Sequence, residues 1–258
     1  MPSSTEDTIV YDAIGEGSPI IFIHPPGMGR KVFHFQYPLQ SSFQLLIPDL
    51  SGHGDSLMKT GVPTIDSYAK EILSILDQEG LQQATILGYS AGGSIAQHLA
   101  IHYPERVKGM ILFGGFPCVA TKTLALQFRI GMKMLESNPE ILAKILAKSH
   151  TTDRTVQRIL FKHMMKANVA NWYHFYNQSL HYDCVDELTS IKVPTLLVYG
   201  TKIKWIKAHE DFYNGNSHMY KKIIPHATHQ IPTKQMYTAN RLIDTFQKKY
   251  IDASSSSG

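Results

Sequence analysis

Two patterns of apolar residues alternate along this chain. One is a short, nearly continuous apolar run that ends in turn residues, and the other is a longer stretch with apolar side chains on one helical face. The short runs lie at residues 20–23, 45–47, 85–87, 107–113, 195–199 and 222–224. The helical stretches lie at residues 65–79, 94–103 and 237–250. Short continuous runs are typical of strands buried on both faces of a parallel sheet, so the alternation predicts a doubly wound, mostly parallel α/β sheet.

One part of the chain interrupts this alternation. From Pro117 to about Ser190 there is only helical periodicity, with helices predicted at 125–136, 139–148, 155–166 and 170–180. A helical insertion of about 70 residues is long for a connection, so it is predicted to be a lid over the carboxyl ends of the strands, where such sheets bind ligands. The predicted organisation is a first part of the core at 1–116, the lid at 117–190 and a second part of the core at 191–258.

Composition and charge exclude several classes of protein. Of the 258 residues, 43% are hydrophobic and 18% are charged, which is ordinary for a globular domain and excludes a disordered or fibrous chain. The net charge of +4 comes from 25 basic and 21 acidic side chains with no obvious basic stripe, so no nucleic-acid partner is expected. Two cysteines, Cys118 and Cys184, set no disulfide framework.

The sequence also predicts a cellular location. Residues 1–7 are polar and acidic, without a signal segment. Every apolar run is far shorter than the roughly 20 residues that span a bilayer. We therefore expect a cytoplasmic protein with a small-molecule substrate and no membrane partner, while the oligomeric state is left open.

The strongest chemical signal is the segment Gly88-Tyr89-Ser90-Ala91-Gly92-Gly93, between a predicted strand and a predicted helix. A serine on so sharp a turn is forced outward, the glycines permit strained backbone, and the helix N-terminus favours negative charge. The pattern G-x-S-x-G alone occurs by chance, but in this context it predicts that Ser90 is a nucleophile. The alternative is a glycine-rich turn whose serine has no catalytic role.

The residues around this turn resemble a known superfamily. The run from Leu87 to Ala96, followed by His102-Tyr103-Pro104-Glu105-Arg106-Val107, resembles the nucleophile-elbow region of the α/β-hydrolases, and most of all their lid-bearing, esterase-like branch. Residues 48–56 resemble the loop after that family's fourth strand, and the likeness extends from about Val10 to Tyr250. The resemblance implies the α/β-hydrolase fold and hydrolase chemistry, without a cofactor or metal, and it specifies no substrate.

The resemblance also implies the base. Among 13 histidines, His229 follows the last predicted strand and precedes the closing helix, which is where the family places its catalytic histidine. An imidazole there can take the Ser90 proton and return it to the leaving group. His226 is the local competitor, but His229 keeps the family's spacing.

The third member of the triad is where this sequence departs from the family. The position three residues after Gly200, where the family usually carries its acid, holds Ile203, and the other family location gives Phe116-Pro117-Cys118. Neither offers a carboxylate to orient an imidazole. The carboxylates that remain as candidates are Glu210, Asp211, Asp183 and Asp186. Either one of these has taken over, or the site is a weakened Ser–His dyad or a retired enzyme.

Two backbone N–H groups are needed to hold a developing oxyanion. By the family's logic Ala91, directly after the nucleophile, supplies one. The second comes from the loop 24–29, where one register assigns it to Pro26, which has no N–H, and the other to Met28. The second register is preferred because a donor exists there.

These residues predict a serine hydrolase that cleaves an ester or a related carbonyl compound through an acyl-enzyme. The alternative is a non-catalytic protein that binds a ligand or a partner on the same fold, which Ile203 keeps open. Non-hydrolytic chemistry in the same pocket, such as that of a lyase or a perhydrolase, is a further possibility.

Overall fold

A single mixed sheet forms the centre of the structure, a computed structural model that describes residues 9–253. Its strands are β1 (Tyr11–Ile14), β2 (Pro19–Ile23), β3 (Gln44–Pro48), β4 (Ala84–Tyr89), β5 (Val107–Phe113), β6 (Thr195–Gly200) and β7 (Met219–Ile224). Their order is β1-β3-β2-β4-β5-β6-β7. Only β1 pairs antiparallel, with β3, and the remaining neighbours are parallel. The fold class predicted from the sequence is confirmed.

Helices cover both faces of this sheet. The α-helices are α1 (Ile65–Gln78), α2 (Gly92–His102), α3 (Lys122–Ser137), α4 (Pro139–His150), α5 (Arg154–Met164), α6 (Val169–His181), α7 (Lys204–Lys207), α8 (Ile231–Lys234) and α9 (Met236–Phe246). Short 3-10 helices lie at Arg30–Ser41, Pro104–Arg106, Val185–Ser190 and Ala208–Tyr213, and a π-helix lies at Gln247–Asp252. None of the described helices is long and apolar enough to cross a membrane.

The burial of the strands explains their sequences. Every residue of β4 is buried, and β2, β5 and β6 are buried over almost all of their length, as continuous apolar runs require. The edge strand β7 is half exposed, which is why it contains Lys221 and Lys222. The other edge strand, β1, has the mixed sequence Tyr-Asp-Ala-Ile and was not predicted, because it has no apolar run.

The segment between β5 and β6 is helical, and its helices start at capping side chains. Thr121, Asn138, Asp153 and Asn168 each accept a hydrogen bond from a backbone N–H in the first turn of α3, α4, α5 and α6 respectively. Such caps satisfy N–H groups that have no partner inside the helix. The helices therefore begin where the sequence provides an oxygen.

The two ends of this segment meet at the sheet. The N–H of Cys184 donates to the Pro117 carbonyl at 3.0 Å, and Cys118 forms an isolated β-bridge with Asp183. Pro117 and Cys184 form this neck, and the 3-10 helix Val185–Ser190 leads from it to β6, while the division into core and lid stays a prediction. The prediction of a cytoplasmic location used residues 1–7, which lie outside the described residues. The outer ends of the predicted domains 1–116 and 191–258 also lie outside them.

Candidate active site

Ser90 lies on the sharp turn between β4 and α2. Its φ is +54°, a left-handed conformation that is rare for a residue other than glycine. The Ser90 N–H donates to the Phe113 carbonyl at 2.9 Å, which ties the turn to β5. The flanking glycines are required by close approach, because a Cβ at Gly92 would lie 2.3 Å from the Ile23 carbonyl oxygen. This strained backbone conformation directs the Ser90 side chain away from the sheet.

His229 lies on the loop after β7 and contacts Ser90 directly. Its Nε2 is 2.8 Å from Ser90 Oγ, a hydrogen-bond distance across 139 residues of sequence. The imidazole also packs near Tyr89 and Trp205, with ring centroids 5.5 and 6.5 Å away. The structure thus brings together the two residues that the sequence assigned to nucleophile and base. His226, the competitor, is exposed and forms no contact with Ser90 in the described chain.

The other ring nitrogen of His229 has no partner. Nδ1 is buried, and no residue between 9 and 253 hydrogen-bonds to it. A Cβ at Gly114 would lie 2.6 Å from Nδ1, so the Gly114 backbone covers this edge of the ring. Burial, with a smaller effect of His150, lowers the pKa of His229 to about 3. A carboxylate beside the ring would stabilise the imidazolium and raise that pKa. The low pKa of His229 therefore agrees with the lack of a neighbouring carboxylate among the described residues.

This geometry also sets the resting tautomer. To take the Ser90 proton, Nε2 must be unprotonated, which puts the single proton of a neutral imidazole on Nδ1. A buried N–H without an acceptor costs about 1–3 kcal/mol and is rarer than an unfilled acceptor. The resting ring therefore favours the proton on Nε2, donated to Ser90, and this tautomer cannot act as the base.

None of the four candidate acids bonds to His229. Glu210 pairs through one carboxylate oxygen with Lys207, and its other oxygen is buried without a partner in the part of the chain that the structure describes. Asp211 accepts from Asn214 at 3.4 Å, and Asp183 accepts from the Val185 N–H at 3.0 Å. Asp186 is exposed on the 3-10 helix Val185–Ser190, at the end of the insertion.

Ile203, at the family's usual acid position, precedes α7 as its N-cap residue and makes no cap hydrogen bond. It is partly buried against the apolar core.

The two predicted oxyanion donors differ in whether their backbone N–H already has a hydrogen-bond acceptor. Ala91 is the N-cap residue of α2 and lines the cavity, and the first N–H groups of a helix have no intrahelical acceptor. The Met28 N–H donates to the Pro25 carbonyl at 3.2 Å, within the turn that carries it. Met28 was preferred to Pro26 as the second donor because proline has no N–H. In the structure, however, the Met28 N–H already has the Pro25 carbonyl as its acceptor.

A cavity of about 340 Å³ opens above Ser90. Its walls come from α3 and α4, from Tyr176 on α6, and from Trp205 and Gln230 on the core side. Every wall residue is apolar or uncharged, apart from the histidines His150 and His229. The site is therefore suited to an apolar, uncharged group next to the Ser90 hydroxyl.

His150 is a member of this site that sequence reasoning missed. It is the last residue of α4 and is 5% exposed. Its Nδ1 is 2.8 Å from the Leu146 carbonyl, so Nδ1 carries the proton and Nε2 accepts from the Tyr89 hydroxyl at 3.1 Å. This bond joins the insertion to Tyr89, the residue before Ser90. No motif marks His150, since only the folding of α4 over the sheet brings it near Ser90.

One group of side chains has ligands suitable for a metal. Ligand atoms of Asp49, Asp55 and His163 lie within 4.8 Å of one another. The guanidinium of Arg30 already bonds to both carboxylates, reaching Asp55 at 2.9 Å, so the positive charge in this group is supplied by the protein. The group lies outside the cavity lining and connects α5 with the loop after β3.

Comparison with known proteins agrees with the fold. A family model described as alpha/beta hydrolase fold matches residues 18–171. The chain is 27% identical over 210 residues to a pimeloyl-[acyl-carrier protein] methyl ester esterase from Aeromonas hydrophila, covering 75% of this chain and 80% of that protein.

Two solved structures are similar over nearly the whole chain. An esterase from Exiguobacterium antarcticum gives a TM-score of 0.85 at 18% identity, covering 94% of this chain and 96% of the other. A bromoperoxidase from Bacillus anthracis gives 0.84 at 15% identity, with the same coverage. At these identities the likeness is one of fold. With the family model covering more than half of its residues, the chain belongs to the α/β-hydrolase family, and the predicted enzyme class, an α/β-hydrolase of esterase type, is confirmed.

Proposed function

We propose that the protein hydrolyses carboxylic esters with an uncharged, apolar acyl group, through an acyl-enzyme on Ser90 and with His229 as base. The observation that carries the proposal is the 2.8 Å contact between Ser90 Oγ and His229 Nε2 on a strained strand-to-helix turn. The methyl ester esterase among the relatives supports an ester as the reacting bond.

The proposed reaction has two halves. Ser90 Oγ attacks the ester carbonyl while its proton passes to His229 Nε2, and the carbonyl oxygen becomes an oxyanion near the Ala91 N–H, with Met28 as the second donor. The tetrahedral intermediate then expels the alcohol, which takes the proton from His229, and the acyl group stays on Ser90. In the second half His229 removes a proton from water, the hydroxide adds to the acyl carbon, and collapse returns the proton to Ser90 and releases the acid.

We expect this reaction to be slow. Loss of the orienting acid from a full triad costs about 10⁴ in rate, and the Nδ1 of His229 has no partner among the described residues. Loss of one oxyanion donor costs about 10²–10³, and the Met28 N–H is shared with Pro25. The residual catalysis would come from the nucleophile, the Ala91 N–H and substrate binding.

We propose further that the segment 117–190 is a lid. Leu124, Phe128 and Met134 of α3, together with Leu142 and Leu146 of α4, line the cavity above Ser90. Such a lid would exclude water from the acyl chain and leave the scissile bond at the serine.

A second candidate is a ligand-binding protein without turnover. The unpartnered Nδ1 of His229 favours it, because the resting tautomer cannot accept the serine proton. The same apolar cavity would then hold an acyl compound without cleaving it.

Labelling with a fluorophosphonate probe separates these two functions, because the probe reports nucleophilicity regardless of substrate. We expect the wild type to be labelled and Ser90→Ala to be unlabelled. The Ser90→Ala variant should also lose all hydrolysis of p-nitrophenyl esters, with Ser94→Ala in the neighbouring helix as a matched control that keeps both. Labelling that persists in Ser90→Ala would contradict the assignment. An unlabelled wild type that binds the esters saturably would favour the ligand-binding protein.

A further inference from the structure

We propose that the exposed face of α3 and α4, beside the mouth of the active-site cavity, docks on an anionic phospholipid surface. This α3–α4 face consists of four apolar and five basic residues: Leu126, Ile130, Ile141, Ile145, Lys122, Arg129, Lys133, Lys144 and Lys148. The proposal goes beyond the sequence-based expectation of no membrane partner, which rested on spanning segments. It depends on the surface alone and not on the proposed reaction.

The apolar residues of the α3–α4 face border the mouth of the cavity. Ile130 and Ile145 line the cavity and are also 49% and 50% exposed, so they form its rim. Leu126 and Ile141 lie one helical turn before them, on the same sides of α3 and α4, and are 54% and 47% exposed. Four large apolar side chains thus face solvent around one opening, a grouping that marks an interaction surface more than scattered exposed residues do.

The basic residues of the face form an outer row beside these apolar ones. At 3.6 residues per turn, Lys122, Arg129 and Lys133 lie on the side of α3 beyond Leu126 and Ile130, away from the cavity. Lys144 and Lys148 hold the same position on α4. Both acids of the two helices pair locally, Glu136 with Lys133 at 3.3 Å and Glu140 with Lys144 at 2.5 Å. No ion pair in the described chain involves Lys122, Arg129 or Lys148.

The charge of the whole protein is concentrated on this side. Residues 122–150, which form α3 and α4, contain five Lys and Arg against two Asp and Glu, a surplus of +3, whereas the complete chain has +4. The remainder of the chain is therefore close to neutral. An attraction to an anionic surface would orient the protein with its helical insertion, and with it the mouth of the cavity, toward that surface.

The order of side chains matches the layers of a bilayer interface. Going around each helix, cavity-lining residues come first, then exposed isoleucine or leucine, then lysine or arginine. The apolar row can enter the acyl region while the long basic side chains reach the phosphates. An acyl chain would then enter the cavity past Ile130 and Ile145, the exposed isoleucines of its lining. We assign a lipid surface because an anionic bilayer presents phosphates and acyl chains in this same layered order.

Vesicle co-sedimentation tests this assignment. We expect the full chain, and equally its Ser90→Ala variant, to bind vesicles of mixed phosphatidylglycerol and phosphatidylcholine but not vesicles of phosphatidylcholine alone. Added salt should weaken the binding, because it screens surface charges. Since vesicle binding requires no turnover, its failure and a failure of hydrolysis would be observed separately.

Two variants and a matched control locate the surface. The triple variant Lys122→Gln, Arg129→Gln, Lys148→Gln should bind on the order of 100-fold more weakly, since each basic residue near an anionic surface contributes about fivefold. Leu126→Ser with Ile141→Ser should also weaken binding although every charge is kept. The control, Arg154→Gln, Arg158→Gln, Lys162→Gln, removes the same charge from the exposed face of α5 and should bind within about threefold of the wild type.

Several results would overturn the proposal. These are no binding to the anionic vesicles, equal binding to both kinds of vesicle, and an equal loss in the α5 control, which would mean a response to net charge alone. A wild-type dimer that the α3–α4 variants dissociate in light scattering would assign the face to a second copy of the chain instead. Unchanged melting by circular dichroism verifies that each variant is folded.

Discussion

At the scale of single residues, the chemistry depends on which nitrogen of His229 carries the proton. The Ser90 contact is already at hydrogen-bond distance, 2.8 Å, so the proposed nucleophile and base need no movement to meet. Residues 9–253 provide no acceptor on the Nδ1 side, where the ring meets the Gly114 backbone. His229 is therefore positioned to accept the Ser90 proton, but no described residue accepts the proton that Nδ1 would have to carry.

Ile203→Asp is predicted to supply that group. A carboxylate at the end of β6 would hold the proton on Nδ1 and stabilise the imidazolium, so kcat for p-nitrophenyl esters should rise by up to about 10⁴. The pKa of His229 should rise from its present value of about 3, and the acid limb of the pH–rate profile should move toward neutral pH. The gain will be smaller if Lys202 or Lys204 draws the carboxylate away from the ring.

Ile203→Asn is the matched control, because it has the same shape without the charge and should gain much less. A robust wild-type rate that falls in one of Glu210→Gln, Asp211→Asn, Asp183→Asn or Asp186→Asn, with no gain from Ile203→Asp, would refute the dyad. It would also identify that residue as the relocated acid.

At the scale of elements, a buried charge network fastens α5 to the core. Asp49, which is 0% exposed, accepts hydrogen bonds from the Arg30 N–H at 2.6 Å and from His163 Nε2 at 2.8 Å. Burial alone would raise the pKa of Asp49, but hydrogen bonding outweighs it and the pKa lies well below its usual range. The carboxylate therefore stays charged between Arg30 of the core and His163 of the insertion.

Asp49→Asn is predicted to destabilise the fold by about 3 kcal/mol, because it removes one partner of a buried ion pair. The value lies at the lower end of the usual range because Asp12 and Asp55 still face Arg30, at 3.1 and 2.9 Å. The matched change Lys166→Gln breaks an exposed pair with Asp55 in the same network and should cost about 1 kcal/mol or less. Urea unfolding at pH 7 measures both, and equal losses would contradict a buried anchor at Asp49.

How far the sequence predicts each element depends on what holds it. The buried strands and the insertion helices were predicted within a few residues, because continuous apolar runs and helical periodicity come from the core that buries them. The 12-residue 3-10 helix Arg30–Ser41, which is kinked at Phe33 and contains Pro38, and the four-residue helices α7 and α8 were not predicted. A kinked helix and single-turn helices are positioned by contacts that the local sequence does not encode.

The candidate site follows the same rule. The pairing of Ser90 with His229 was anticipated from the elbow and from the family resemblance, which places the base on the loop after the last strand. The surroundings of Nδ1, the acceptor of the Met28 N–H and the approach of His150 were not. The first two involve backbone groups of Gly114 and Pro25. Because nearly every residue carries the same backbone groups, a sequence pattern does not show which of them will form these contacts. The third depends on where the end of α4 comes to lie over β4.

At the scale of the whole molecule, buried neutral imidazoles make the fold sensitive to acid. Burial is the largest cause that lowers the pKa of His24 and of His150 to about 4, and of His53 and His229 to about 3. In the unfolded chain each returns to about 6.5. Below that pH the unfolded state binds more protons than the folded state, so stability falls as the pH falls.

The size of this effect predicts acid unfolding near pH 5. The loss begins at about pH 6.5 and continues down to the folded pKa values, with ~1.4 kcal/mol per pH unit from each imidazole and roughly 5 kcal/mol per unit from all four. Domains of this kind have about 5–15 kcal/mol of stability in total. Asp49 does not offset the loss, because a lowered carboxylate pKa changes stability only below the usual titration range of Asp.

Urea unfolding at pH 7, 6 and 5 tests this, with the free energy of unfolding plotted against pH. His150→Gln removes one buried imidazole and keeps an acceptor for the Tyr89 hydroxyl, so it should reduce the slope by about a quarter. The matched change His34→Gln removes an exposed imidazole and should leave the slope as in the wild type. A free energy that is constant from pH 7 to 5, or the same slope in His150→Gln, would show that these rings are not kept neutral by the fold.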